Sequence, residues 1–493
     1  MTLTSRSRSF CVLVLMSVLL LSAGCVVGPN FKKPAAPDIP SYTPSPTAAT
    51  ASTPDVQGGG AQSFVEGRDI PGDWWTLFHC KQLNDLIARA LQLNPDLKSA
   101  QAALLVAREN TLAQHGYYYP NVSAGFSAAR GKSSPDVSPV TFSSVLNYSL
   151  YTPQVVVSYV PDVFGLNRRT IESLKAQEQQ ARFALAATHI TLSSNIVEAA
   201  IQEASLRGQI DATNQLISIN ARMLGTLRSQ LNRGYASELD VAAQQAQLAQ
   251  LAATLPPLLK QLAQQRDLLA ALAGGFPNRE LEEKFELSSF QLPRTLPLSL
   301  PSKLVEQRPD VRQAEENLHA ASALIGVAHA NRLPSFALTA DAGTMGVVLG
   351  HLFTAGFWDL AGGLTQPVYD GKTLLHRERA AKAAYTQAAE QYKSAVLTAF
   401  QNVADTLHAI KQDADDLKST AAATNAAAVT LELTKKQFDA GYANDLSLLS
   451  AEQSYQQALL SQVQAQSNRY ADSAALFQAL GGGWWNRPDL PKN

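Results

Sequence analysis

The chain has 493 residues, of which 46% are hydrophobic and only 16% are charged, and its 40 Lys and Arg residues nearly balance its 41 Asp and Glu residues. Soluble domains average about 25% charged residues. The balanced charge argues against a nucleic-acid partner, which needs a basic face, and 3 cysteines are too few for a disulfide scaffold. The composition, rich in Ala and Leu, favours long helices that pack closely on one another.

The N-terminus carries an export signal. Arg6 and Arg8 precede an apolar run from Phe10 to Leu21, which ends at Leu21-Ser22-Ala23-Gly24-Cys25. The run is too short to span a bilayer as a helix, which takes roughly 20 residues. It is typical of a secretory signal peptide, and small residues directly before a cysteine are typical of a lipoprotein signal. We therefore predict a signal peptide over 1–24 and lipidation of Cys25; the alternative is an ordinary signal with an incidental cysteine.

The next stretch, residues 25–67, is rich in proline, alanine, serine and threonine and includes Gly58-Gly59-Gly60. Proline-rich segments favour extended polyproline II, so we expect a lipid-anchored tether without a packed element. Cys11 leaves with the signal peptide, which makes Cys80 the remaining free thiol. We expect Cys80 to be a small buried hydrophobic residue.

The folded body has the pattern of an internal duplication. Asn94-Pro95-Asp96-Leu97 recurs as Arg308-Pro309-Asp310-Val311, Pro161-Asp162-Val163-Phe164-Gly165 as Pro367-Val368-Tyr369-Asp370-Gly371, and Arg233-Gly234-Tyr235-Ala236 as Ala440-Gly441-Tyr442-Ala443. The motifs keep the same order in both parts of the chain. We predict a first repeat over 68–275, a proline-interrupted linker over 276–301, a second repeat over 302–485 and a tail over 486–493.

Each predicted repeat contains one long helix. The stretches 166–233 and 372–440 lack proline, and each would form a helix of roughly 100 Å at 1.5 Å per residue. Mostly apolar positions alternate at spacings of four and three, namely Leu206, Ile210, Thr213, Ile217, Asn220, Leu224, Leu227 and Leu231 in the first and Val396, Phe400, Val403, Leu407, Ile410, Ala414, Leu417 and Ala421 in the second. This 3.5-residue repeat predicts coiled-coil packing.

Each long helix is expected to end in a tight turn. Gly234 and Gly441 suit the left-handed position that ends a helix. After these glycines the sequence predicts return helices over about 237–273 and 443–480. The two helical hairpins would thus have their tips at Gly234 and Gly441.

Short segments with period-two alternation lie between the helical parts, at 122–128, 145–151, 335–343 and 358–365. Their apolar sets are Val122, Ala124, Phe126 and Ala128; Leu146, Tyr148 and Leu150; Phe336, Leu338, Ala340 and Ala342; and Trp358, Leu360 and Leu364. An apolar face opposite a polar face is typical of transmembrane β-strands. A half-buried soluble sheet gives the same pattern, but the export signal favours the membrane.

Such a sheet cannot close by itself, because open edges are not satisfied in lipid. Two copies would give eight strands with a side-chain-filled interior, and three would give twelve strands with room for a channel. The pattern therefore predicts an oligomer without choosing its number.

The sequence carries no catalytic, metal-binding or cofactor motif. Gly371-Lys372-Thr373 is similar to the end of a P-loop, but Gln366 stands where that motif requires glycine, so we expect a helix start instead. His319 and His329 are interpreted as surface or satisfied core groups rather than metal ligands. The protein is not expected to be an enzyme.

The sequence resembles the outer-membrane efflux proteins, the TolC-like family, and among them the lipoprotein channels of tripartite drug-efflux pumps. The resemblance covers essentially the whole mature chain. It rests on Cys25-Val26-Val27-Gly28-Pro29-Asn30-Phe31, Trp74-Trp75-Thr76-Leu77-Phe78, Leu91-Gln92-Leu93-Asn94-Pro95-Asp96-Leu97, Arg233-Gly234-Tyr235-Ala236-Ser237-Glu238-Leu239-Asp240-Val241 and Ala479-Leu480-Gly481-Gly482-Gly483-Trp484-Trp485. It implies a mainly α fold with a membrane β-barrel, namely a homotrimer whose twelve-stranded β-barrel in the outer membrane continues as a twelve-helix periplasmic α-barrel.

The resemblance also implies the function and the partners. The expected function is passive conduction of drugs or other small molecules, driven by an inner-membrane RND-type pump and coupled through a periplasmic adaptor (membrane fusion) protein. The alternatives are a channel for type I protein secretion and a non-conducting periplasmic coiled-coil spacer. Adaptor contact is expected at the hairpin tips, at Gly234, Leu239, Asp240, Gly441 and Asp445. For Asp240 and Asp445, a role as helix N-terminal charges is an equally good interpretation.

The resemblance places a gate just after the second tip, where the family commonly reads Leu-x-x-Leu-Asp-Ala and forms an acidic ring. Here the run is Leu446-Ser447-Leu448-Leu449-Ser450-Ala451-Glu452, so Ser450 replaces the aspartate. We expect a periplasmic gate formed mainly by Leu446, with weaker cation selectivity because charge is lost at Ser450. The alternative is that Ser450 is a tolerated polar residue and that another ring compensates.

Overall fold

The computed structural model describes residues 26–45, 48–132, 147–279, 281–488 and 490. The predicted signal peptide and the predicted lipidation site Cys25 lie outside these residues. The helices and strands follow in the order β1 Ser63–Glu66, α1 Lys81–Leu93, α2 Pro95–His115, β2 Asn121–Lys132, β3 Asn147–Tyr159, α3 Leu166–Asn232, α4 Glu238–Ala252, α5 Leu255–Leu272, β4 Thr295–Leu298, α6 Pro301–Gln307, α7 Pro309–Ala330, β5 Ser335–Thr344, β6 Gly356–Thr365, α8 Thr373–Asp439 and α9 Asp445–Ala479, with short 3-10 helices between some of them. Within the described ranges, no helix combines the length and apolarity that crossing a membrane would require.

The two long helices match their predicted limits to within one residue. The helices α3 and α8 each contain 67 residues. An aspartate that precedes each helix accepts a hydrogen bond from an amide of the first turn. Asp162 Oδ1 accepts from Asn167 N at 2.9 Å, and Asp370 Oδ2 accepts from Leu374 N at 2.7 Å. Such caps satisfy amide groups that a helix start leaves open. Thr373 therefore begins a helix, as predicted, and not a nucleotide-binding loop.

The predicted seams of these helices are buried. In α8, Val403, Ile410 and Leu417 are fully buried, and in α3 Leu206 and Asn220 are equally inaccessible. The polar Asn220 fits this seam because Gln244 Nε2 donates to its Oδ1 at 3.0 Å, while its own Nδ2 donates to the Leu216 carbonyl at 2.9 Å. The four-and-three spacing thus identified the packed face of both helices.

The first return helix differs from its prediction over 237–273. The helix α4 ends at Ala252, and α5 starts at Leu255 with proline in its first turn. Pro256 and Pro257 have no amide hydrogen and tolerate only a helix start, so the helix is interrupted before them. The second return helix, α9, runs without a break.

The four strands predicted from alternation form one antiparallel sheet in the order β2-β3-β5-β6. The register places Val122 opposite Val157, Val157 opposite Ala340 and Ala340 opposite Leu360. Directly opposed residues share a face. One face, here called the apolar face, carries Val122, Ala124, Phe126, Val155, Val157, Phe336, Leu338, Ala340, Ala342, Trp358 and Leu360, and the other, the polar face, carries Ser123, Ser127, Gln154, Ser158, Thr339, Asp341 and Asp359.

The prediction for the second alternating segment, 145–151, was wrong in both extent and orientation, and its Leu146 lies outside the described residues. The strand β3 continues to Tyr159, and Leu150 lies opposite Ala129. That register places Tyr148 and Leu150 on the polar face, whereas we expected them on the apolar face. The apolar residues of β3 change sides along the strand, from Tyr148 and Leu150 on one face to Val155 and Val157 on the other. The pairing with β2 therefore decides the face, and the alternation within 145–151 does not.

The expectation of a tether without packed elements is wrong, because its first described residues and its second half are both held by hydrogen bonds. The strand β1 pairs in parallel with β4. The buried Gln62 donates through Nε2 to the Pro293 carbonyl at 3.1 Å and to Ser473 Oγ at 2.9 Å, and Arg469 Nη2 donates to the Gly60 carbonyl at 2.7 Å. These buried hydrogen bonds hold a proline-rich sequence on the folded body.

The chain divides into two compact units. The strand unit comprises 26–33, 104–180 and 314–392, and the helical unit comprises the remaining described residues. Each predicted repeat contributes to both units, so the repeat boundaries do not coincide with compact bodies. In the helical unit, Trp74 stacks on Phe477 with ring centroids 5.1 Å apart. Cys80 in the same unit is a buried free thiol, as predicted, and burial raises the pKa of its thiol.

Candidate functional site: the helical hairpin tips

Both predicted tips have the same backbone geometry. At the end of α3, Tyr235 N donates to the Gln230 carbonyl at 2.8 Å and Gly234 N donates to the Leu231 carbonyl at 2.9 Å. At the end of α8, Tyr442 and Gly441 make the same pair of bonds to Gln437 and Phe438, also at 2.8 and 2.9 Å. This is the Schellman motif, which requires a left-handed residue after the helix.

Gly234 and Gly441 supply that left-handed residue, with φ of 80° and 78°. An added Cβ at either position would meet nothing within 4 Å. The glycines are thus needed for backbone conformation alone and not for close packing. The prediction that these glycines end the helices in a left-handed turn is confirmed.

Large side chains next to the glycines are exposed. Tyr235 is 82% exposed, Leu239 is 77% exposed and Tyr442 is 88% exposed. Each tip therefore presents an exposed aromatic ring on a hydrogen-bonded turn, which suits recognition because a ring offers contact area at a small entropy cost. The sequence placed both tyrosines within the repeated motif, but it did not show that they are exposed.

The structure assigns Asp240 a local role. Ser237 is the N-cap of α4, and Asp240 Oδ2 accepts from Ser237 N at 2.9 Å while Asp240 N donates to Ser237 Oγ at 3.2 Å. This reciprocal arrangement is a capping box. The hydrogen bonds from Ser237 hold the pKa of Asp240 below its usual range. The interpretation of Asp240 as a helix N-terminal charge is confirmed, and its contact with an adaptor stays a prediction.

Asp445 stands at the start of α9, where Asn444 is the N-cap and accepts from Ser447 N at 2.8 Å. Its Oδ2 accepts from Thr226 Oγ1 of α3. Asp445 is therefore both an acid in the first turn of a helix and a link between the two hairpins.

The predicted gate residues follow along α9. Leu446 is half-buried and Ser450 is exposed, whereas the fully packed leucine of this run is Leu449. One turn further, Glu452 forms an ion pair with Arg222 of α3. Sequence reasoning did not identify Arg222, because no local pattern shows that two distant helices bring opposite charges together.

The polar face of the sheet contains an acidic pair. Asp341 of β5 is directly opposite Asp359 of β6. On the other side, Phe126, Trp358 and Leu360 of the apolar face are exposed. In the described part of the chain, β2 and β6 each have one edge without a partner strand.

Among the described residues, no group of three or more histidine, cysteine or acidic side chains could hold a metal ion. His319 stacks on Phe31 with ring centroids 4.3 Å apart, and its nitrogens contact Glu316 at 3.3 Å and Glu172 at 3.2 Å. The hydrogen bond with Glu316 is the main cause that raises the pKa of His319. His319 is thus a satisfied structural group, as predicted.

Comparison with known proteins places this architecture in a family. The model of the outer membrane efflux protein family matches residues 86–275 and 300–482. The antibiotic efflux pump outer membrane protein ArpC of Pseudomonas putida is 28% identical over 490 residues, covering 97% of this chain and 96% of the relative. Among solved structures, the outer-membrane channel OprN is 26% identical with a TM-score of 0.80, covering 93% of this chain and 100% of that chain. The open state of the MtrE outer membrane channel of Neisseria gonorrhoeae is 25% identical with a TM-score of 0.78, covering 93% and 99%. The chain belongs to the outer membrane efflux protein family.

Proposed function

We propose that this protein is the outer-membrane channel of a tripartite efflux system and conducts drugs or other small molecules passively to the exterior. The similarity to ArpC, an antibiotic efflux pump protein by name, supports this class of substrate. An inner-membrane RND-type pump would supply the energy.

The observation that carries the proposal is the four-stranded sheet. Its apolar face is continuous across all four strands, and several of its large side chains are exposed. A sheet with one apolar and one polar face is suited to lie between lipid and an aqueous lumen. The unpartnered edges of β2 and β6 would be satisfied only if other copies of the chain continue the sheet.

A homotrimer would close the barrel with twelve strands, which is enough to leave a channel. The long helices α3 and α8 and the return helices would then form a twelve-helix α-barrel in the periplasm. Their seams, with Val403 and Leu206 buried, support helix packing of the coiled-coil type.

An internal duplication accounts for the equal lengths of α3 and α8 and for the identical turns at Gly234 and Gly441. We therefore keep the repeats at 68–275 and 302–485, with the linker 276–301 and the tail 486–493 outside them. The family model likewise matches the chain in two segments.

The outer membrane is the proposed location, with Cys25 acylated. Several acyl chains anchor a protein stably, whereas one binds only marginally. Val26 follows the cysteine, where an aspartate would be the usual inner-membrane retention signal of such lipoproteins. The exposed apolar face of the sheet supplies a second, independent means of membrane attachment.

The hairpin tips are the proposed adaptor contact. The exposed rings of Tyr235 and Tyr442 and the exposed Leu239 provide apolar anchors at the two turns. The gate would lie immediately beyond the second tip, at Leu446 and Ser450. The contacts from Thr226 to Asp445 and from Arg222 to Glu452 support this level as the place where the two hairpins are held together.

Single-channel recording in planar bilayers tests the proposal most directly. Purified protein should give stable conductance steps, and its mass in detergent should be that of three chains. A matched control is the same protein after heat dissociation, which should be silent. A protein that inserts but conducts no ions would support the coiled-coil spacer instead, and a dimer mass would contradict the twelve-stranded barrel.

A further inference from the structure

The strand unit contains an apolar cleft that the channel function does not use. The cleft has a volume of about 440 Å³ and lies where β3 ends and β5 begins, lined by Val160, Phe164, Leu333 and Phe336 among others. Phe164 and Phe336 contact each other with ring centroids 6.4 Å apart. Phe336 belongs to the apolar face of the sheet, so the cleft continues this face at its helix-side end.

The N-terminal segment is fixed at the rim of this cleft. Val27 N donates to the carbonyl of Phe164 at 3.2 Å. The buried Arg169 holds the same segment, with Nε donating to the Val27 carbonyl at 3.0 Å and Nη2 donating to the Gly28 carbonyl at 3.1 Å. Consecutive Cα atoms are about 3.8 Å apart. Val26, the first described residue, therefore lies beside the cleft.

Most of the cleft wall is apolar. Asn167 also lines the cleft, and its Oδ1 atom accepts from Gln114 Nε2 at 2.7 Å. The Asn167 Nδ2 atom is sealed from solvent, so it offers no accessible donor to a ligand. A mainly apolar wall is the pattern of a site for an apolar ligand such as an acyl chain.

We propose that this cleft binds an acyl chain carried by Cys25 of the same molecule. The proposal rests on the proposed lipidation of Cys25. The cleft volume falls within the roughly 300–1,000 Å³ that small-molecule sites occupy. This one acyl chain is then held by the protein at the base of the sheet, and the other acyl chains of Cys25 anchor the protein in the bilayer.

Photochemical cross-linking tests this placement. Cells are supplied with a fatty acid that carries a diazirine near its end, the mature protein is isolated, and the mass of its N-terminal peptide reports whether Cys25 is acylated. After irradiation, cross-links from the N-terminal peptide should appear in the peptides that contain Val160 to Phe164 and Leu333 to Phe336. An unmodified Cys25 would overturn the proposed lipidation itself. Acylated protein without these cross-links would overturn only the acyl site.

Two variants separate the sources of the signal. In a protein exported by a non-lipoprotein signal with Cys25→Ser, the cleft cross-links should disappear, and their persistence would mean that a membrane lipid occupies the cleft instead. Val160→Glu places a charge at the cleft and should lower the cross-linked fraction about fivefold or more. Val347→Glu is the control, because Val347 is 64% exposed against 59% for Val160 and does not line the cleft. An equal loss of cross-links in Val160→Glu and Val347→Glu would contradict the assignment.

Discussion

The turn at the first hairpin tip permits a quantitative test of the conformational role of glycine. Replacing Gly234 by alanine adds a Cβ that meets no atom within 4 Å, so steric contact contributes nothing. The cost arises only because the residue has a φ of 80°. A left-handed conformation costs an L-residue roughly 1–2 kcal/mol. The hydrogen bonds from Gly234 N and Tyr235 N should therefore open about 5 to 30 times more often.

The chain provides a matched control in the same helix. Gly225 is a helical, exposed glycine of α3 whose added Cβ also meets nothing within 4 Å. It does not have a left-handed φ. Alanine is favoured over glycine in a helix interior by roughly 0.5–1 kcal/mol. The same chemical change should thus stabilise the helix at Gly225 and destabilise the turn at Gly234.

Hydrogen exchange measured by mass spectrometry on the purified protein in detergent reports both effects. Peptides that contain Tyr235 should exchange faster in Gly234→Ala, and peptides around Gly225 should exchange about 2 to 5 times more slowly in Gly225→Ala. Gly234→Val and Gly441→Val should also impair efflux in cells while the protein remains assembled in the membrane. Equal exchange changes in the two alanine variants would refute the reasoning, and unchanged drug resistance in both valine variants would count against tip contact.

Three further predictions concern charge. Burial and Asp472 raise the pKa of Asp413 to about 8 from an ordinary 3.8, so the folded protein keeps a proton that the unfolded chain loses. Thermal stability should therefore fall as pH rises from about 4 to 8, and Asp413→Asn should flatten this profile in scanning fluorimetry; an unchanged slope would contradict the pKa shift. Arg222→Gln should raise the open probability in single-channel recordings, because the hairpin contact loses the ion pair with Glu452, worth roughly 0.2–1 kcal/mol per chain. An unchanged open probability would show that this ion pair does not restrain the gate. Ser450→Asp should raise cation selectivity and divalent-ion block in the same recordings, and if it changes neither, the gate does not lie at this level.

Much of the helical architecture could be predicted because its information is local. The absence of proline and the four-and-three spacing defined α3 and α8 to within one residue, and the burial of Leu417 and Asn220 follows from that spacing. The glycine turns were predictable for the same reason, since only glycine takes a left-handed φ at little cost. The break before Pro256 was missed because the prediction ran one helix over 237–273 in spite of the two prolines inside it. Proline is tolerated only in the first turn of a helix, so a new helix has to start there.

What could not be predicted depends on partners far along the chain. The face of Leu150 follows from its pairing with Ala129, and the fixed position of the proline-rich segment depends on Arg469. The contact between Arg222 and Glu452 has the same origin. In each case the residues nearby in sequence do not indicate the position of the side chain. That position is set by a pairing or contact with a residue far away in the sequence.

The alternation of the chain between its two units has a consequence for biogenesis. Gln62 reaches its acceptor on Ser473, and Arg469 reaches Thr50 and Gly60, only after nearly the whole polypeptide has been delivered across the inner membrane. Contacts of such long sequence separation form slowly, and apolar surface stays exposed until they do. We therefore expect the exported chain to remain unfolded and dependent on chaperones until its last helix, α9, has been exported. Truncation within α9 should then prevent assembly altogether and not give a shorter assembled protein.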